Sequence, residues 1–77
     1  MIEILICKNE FSFWDRKLVD SDTQELLRTG IKVDGQVYEV RKIHCLKDGE
    51  FKDFLYAVGP GHTVVESQVK NALGIQP

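Results

Sequence analysis

Cysteine is too rare in this chain to staple it together. Cys7 and Cys45 are the only two, whereas secreted domains of this size use several disulfides to replace missing core. Both lie in apolar, strand-like runs and read as buried free thiols. Long apolar runs are lacking as well. Ile2–Cys7 is interrupted by Glu3 and is far too short for a membrane span or a signal-peptide h-region. The expectation is a cytoplasmic protein with no membrane contact.

A strong net charge is also missing. The balance of −2 gives the whole molecule no pull toward nucleic acid or anionic lipid. Repeats, linkers and low-complexity segments are absent, so residues 1–77 read as a single domain. No P-loop, G-x-S-x-G, H-E-x-x-H or C-x-x-C spacing occurs, which removes the common catalytic and redox signatures. Two histidines and two thiols without paired spacing do not make a zinc site. No cofactor or metal is implied, and the chain reads as non-enzymatic.

What is present is a pattern of strands and turns. Ile2-Glu3-Ile4-Leu5-Ile6-Cys7 is apolar on both alternating sets, as a strand covered on two faces should be, and belongs mid-sheet. Phe11-Ser12-Phe13-Trp14 is a short candidate for a second strand. Asp22 followed by Glu25 marks a helix start of the capping-box type, with Leu26 and Leu27 facing the core and Gly30 as the stop.

Two Asp-Gly pairs carry the most information. Asp34-Gly35 and Asp48-Gly49 each sit between β-prone runs, and Asp-Gly suits a two-residue hairpin turn with positive φ at both positions. A two-residue turn sets Ile31 opposite Tyr38 and Lys32 opposite Val37. One face then holds Ile31, Val33, Tyr38 and Val40, the other Lys32, Val37, Glu39 and Arg41. In the second hairpin Ile43 meets Phe54, His44 meets Asp53, and Leu46 meets Phe51. Apolar parity changes between Val40 and Ile43, so a β-bulge or sharp bend is expected near Arg41-Lys42. Towards the C-terminus Thr63 and Glu66 match a capping box. Val65, Val69, Ala72 and Leu73 then fall on one helical stripe ended by Gly74. The fold class is α+β: a small bent antiparallel sheet of four or five strands, with a short middle helix and a C-terminal helix. An SH3-like partly open barrel is the alternative.

Four features bear on function. Gly59-Pro60-Gly61-His62-Thr63 joins a strand to a helix start, where free amides could hold a small anion or nucleotide, with Gly59, Gly61, His62 and Thr63 as its residues. Gly-Pro-Gly is equally what a tight connection needs. Residues 28–47 carry five cations against two acids, and Lys32 and Arg41 share a polar face. Nucleic-acid binding there is disfavoured, because exposed aromatics to stack on bases are not expected beside them. Trp14, the only tryptophan, is separated by alternation from Phe11 and Phe13, and is either an exposed anchor or a plug beneath a helix. His44 opposite Asp53 is the geometry of a pH-sensitive or catalytic dyad, and equally of an exposed surface pair. With no catalytic set, the leading expectation is a module that binds another protein and modulates it. Its interface would include Trp14, Lys32 and Arg41.

Overall fold

The computed structural model describes residues 1–7 and 14–74, apart from the side chain of Trp14. Five strands and two helices follow one another: β1 (Ile2–Cys7), β2 (Trp14–Val19), α1 (Thr23–Thr29), β3 (Ile31–Val33), β4 (Gln36–Lys47), β5 (Glu50–Val58) and α2 (Glu66–Leu73). The strands form one sheet in the order β2-β1-β5-β4-β3. The α+β class is as expected, and the sheet is an open half-barrel. One junction departs from an all-antiparallel sheet, since β1 runs parallel to β5 from Ile4↔Leu55 to Cys7↔Val58.

Strand β1 has neighbours on both sides and is buried on both faces from Ile4 to Cys7. That explains a run with no polar alternation. Strand β2 starts at Trp14; Phe11–Phe13 lie outside the described residues. Its exposed Asp15, Arg16, Lys17 and Leu18 suit an edge, where charge discourages pairing with foreign strands.

Both Asp-Gly turns are built as their chemistry requires. Asp34 and Gly35 have φ of 51° and 82°, and Asp48 and Gly49 have 54° and 80°. The resulting registers, Ile31↔Tyr38 and Ile43↔Phe54, are the expected ones.

The bulge near Arg41-Lys42 is not there. Strand β4 pairs with β5 without interruption from Glu39↔Val58 to Lys47↔Glu50. Parity changes because the sheet has a core on each face. Ile4, Ile6, Leu26, Val33, Tyr38, Val40, Leu55 and Ala57 pack together on the face that α1 covers. Leu5, Ile43, Cys45, Tyr56, Val58, Val69 and Leu73 pack on the other, beneath α2. Strand β4 therefore feeds one core with its even positions near Tyr38 and the other with its odd positions near Ile43, with no break in its register.

Asp22 caps α1: its Oδ1 accepts from the Glu25 amide at 2.9 Å. Gly30 ends it at φ 77°, and a Cβ there would lie 2.5 Å from the Tyr38 carbonyl oxygen. Helix α2 begins later than its sequence suggests. Val65 holds the N-cap position in an extended conformation, and its amide donates to Gln68 Oε1 at 3.1 Å. Thr63 does not cap the helix. Val64, rather than Val65, packs against the core, and Val65 points outward at 55% exposed. Starting the helix only after an extended Val65 lets Val64 pack inward, and this burial outweighs the cap that Thr63 offers. The stripe otherwise holds, with Val69 and Leu73 buried and Gly74 left-handed at φ 79°. Both cysteines are buried and outside any disulfide, Cys7 opposite Val58 and Cys45 opposite Lys52, toward opposite ends of the β4–β5 ladder. No described helix is long and apolar enough to cross a membrane.

Candidate interaction surface

The β4–β5 hairpin outruns the rest of the sheet. Strand β5 joins β1 only from Leu55 to Val58, so Glu50–Phe54 is paired to β4 alone. In this distal half, Ile43, Cys45 and Phe54 belong to the core beneath α2. The opposite face presents Lys42, His44, Leu46, Phe51 and Asp53, all exposed. Alternation and the turn register dictate this split. Once the odd positions of β4 turn inward, the even ones must turn to water.

That face is apolar near the tip and charged toward its base. Leu46 and Phe51 lie directly opposite each other, 49% and 68% exposed. The His44 ring stacks on Phe51, with centroids 5.5 Å apart and planes inclined by 12°. His44 Nδ1 lies 2.6 Å from Asp53 Oδ1, and Lys42 Nζ lies 4.0 Å from Asp53 Oδ2. Asp53 thus holds two neighbours at once. With more than half of each side chain of the His44–Asp53 pair in water, the contact contributes little to stability. Its effect is to orient: it fixes the imidazole flat against Phe51.

Beside this face lies a cleft of about 480 Å³ at the start of β1. Ile2, Leu5, Leu55 and Leu73 form its apolar walls, and Lys42 and Asp53 stand on its border with the hairpin. The hairpin face and the cleft therefore share two charged residues.

Of the residues singled out from the sequence, His44 and Asp53 meet on this face as the register predicts, and the others do not converge there. Gly59–His62 form a reverse turn, with the His62 amide donating to the Gly59 carbonyl at 3.1 Å and Gly61 at φ 78°. Gly59 is buried, and a Cβ on it would lie 3.2 Å from the Tyr38 ring. His62 is half-buried and Thr63 exposed, while α2 starts at Glu66. The free amides of the first helical turn thus lie beyond the Gly59–Thr63 segment. Trp14 pairs with Cys7 on edge strand β2. Lys32 is on the other edge strand, β3, across a cleft of about 210 Å³ that residues of both strands line. Arg41 points outward, and its guanidinium bonds Glu39 Oε2 at 2.9 Å. That hydrogen bond and the carboxylate charge raise its pKa further. Among the described residues no cluster of metal-ligating side chains occurs.

Leu46 and Phe51 are the exposed pair that sequence reasoning passed over. The signal was there: the second hairpin's register already placed them together and away from the apolar face. Comparison with known proteins finds no matching family model, no similar curated protein and no similar solved structure.

Proposed function

We propose that this protein is a non-enzymatic binding module that docks another protein through the exposed face of the β4–β5 hairpin. The observation that carries this reading is the Leu46–Phe51 pair, two large apolar side chains left in water on a projecting hairpin. Scattered exposed apolar residues are ordinary, but a cross-strand pair with a stacked histidine is a contiguous patch. It has the anatomy of an interface: an aromatic and aliphatic centre, with Lys42 and Asp53 as a polar rim. The side chain of Phe51 contributes most of the apolar area and little entropy is lost when it is covered, since His44 already restrains it.

A nucleic-acid role draws less support from the same hairpin. Lys42 stands beside Asp53, Lys52 beside Glu50 and Arg41 beside Glu39, so the local cations are largely balanced. Affinity-tagged wild-type protein should capture a partner from native lysate, and a Leu46→Ala/Phe51→Ala variant should lose it. Since both side chains are exposed, that variant should keep its thermal midpoint. Capture undiminished in the double variant would end this reading. Capture of nucleic acid that falls steeply with salt would replace it.

A further inference from the structure

Strand β4 has a second, unused edge. Strand β3 covers it only from Gln36 to Tyr38. Among the described residues, no strand pairs with that edge from Glu39 to Lys47, and no turn or loop amide bonds to it. The Asp-Gly turns fix which backbone groups face outward. In a two-residue hairpin the residues flanking the turn form a hydrogen-bonded pair, here Lys47↔Glu50 and Val33↔Gln36. Odd residues of β4 therefore direct their N–H and C=O toward β5, and even ones toward the outer edge. Val40, Lys42, His44 and Leu46 present those groups to water. An open edge of this length is a template for another strand.

We propose that the strand it takes is β4 of a second copy, antiparallel about a two-fold axis at Ile43. This goes beyond the partner docking above and does not depend on it. The register is chosen by charge. With Ile43 against Ile43 of the second copy, Glu39 faces Lys47 twice, and Val40 faces Leu46 twice. Lys42 faces His44 of the second copy, with Asp53 of each copy beside both. Sliding two residues one way sets Arg41 against Lys47, and the other way sets Lys42 against itself. Both alternatives oppose like charges, which cross-strand pairs penalise. The outward groups of Val40, Lys42, His44 and Leu46 are all satisfied in the favoured register. Directly opposed residues share a face, so the Leu46–Phe51 patches of both copies come to lie on one side.

Sedimentation equilibrium on the full chain at submillimolar concentration should show a monomer–dimer equilibrium. Glu39→Lys or Lys47→Glu should each weaken the dimer by roughly tenfold, because two attractive pairs become repulsive. Combining them should restore it, which a simple loss of folding cannot do. A mixture of Glu39→Cys and Lys47→Cys proteins should form a disulfide heterodimer on mild oxidation, while neither should link to itself. The native Cys7 and Cys45 are buried and do not compete. A wild-type chain that stays monomeric, or a dimer indifferent to the charge swap and the mixed cysteines, would overturn the proposal.

Discussion

At the scale of single residues, Gly30 and Gly59 illustrate two different reasons for a glycine. Gly30 is held at φ 77° with no room for a side chain, because a Cβ would sit 2.5 Å from the Tyr38 carbonyl oxygen. Backbone strain and a clash with rigid backbone act together there. Gly30→Ala should therefore cost about 1–3 kcal/mol, read as a lowered urea midpoint. The turn glycine Gly35 has φ 82° and open space around it. Gly35→Val should also destabilise, by about 1 kcal/mol or more, through conformation alone. Gly30→Ala leaving the midpoint unchanged would mean that the α1–β3 junction is loose. Gly59 is different again, since its φ is unexceptional and its role is to make room for the Tyr38 ring. Its place in a Gly-Pro-Gly run invites an anion-site reading, yet packing alone accounts for it.

At the scale of elements, turn chemistry was legible and helix starts were less so. Two Asp-Gly pairs specify both hairpins and their registers, because only residues tolerant of positive φ fit such turns and the turn length then fixes every cross-strand pair. The start of α2 departs from the local signal for a physical reason. Thr63 with Glu66 is the capping box that local propensity favours, since Val65 has no side-chain acceptor with which to cap. The core overrides that preference by taking Val64. A pair of substitutions separates the two alternatives. Thr63→Ala should be nearly neutral, within about 0.5 kcal/mol, as befits an exposed residue away from any cap. Gln68→Ala should cost up to about 1 kcal/mol, since the Val65 amide loses its acceptor. The reverse ranking in thermal melts would return the cap to Thr63. The candidate surface was only half legible in the same way. Register placed Leu46 with Phe51 and His44 with Asp53, but nothing local to the hairpin says that no helix covers that face. Trp14 drew attention by its rarity, which carries no information about position.

At the scale of the whole molecule, the thin sheet serves as a partition between two small cores. A parity change along one strand is normally taken as a bulge, because a sheet with one buried face permits no other explanation. Here α1 and α2 lie on opposite faces, so β4 supplies Val40 to one core and Ile43 to the other without a bulge. The expected consequence is energetic independence. Ile4 is 0% exposed in the core under α1 and Ile43 is 4% exposed in the core under α2, and they share no cluster. Ile4→Val and Ile43→Val should each cost about 0.5–1.5 kcal/mol, small enough for a domain of this size to remain folded. Residues without common neighbours combine additively to within about 0.3–0.5 kcal/mol, so the double variant should lose the sum of the two. Denaturant melts of the four proteins give the coupling directly. An interaction energy above about 1 kcal/mol, of either sign, would show that cutting one core reshapes the other. The sheet would then act as a compliant layer between them, and strain at one helix would reach the hairpin face that carries Leu46 and Phe51.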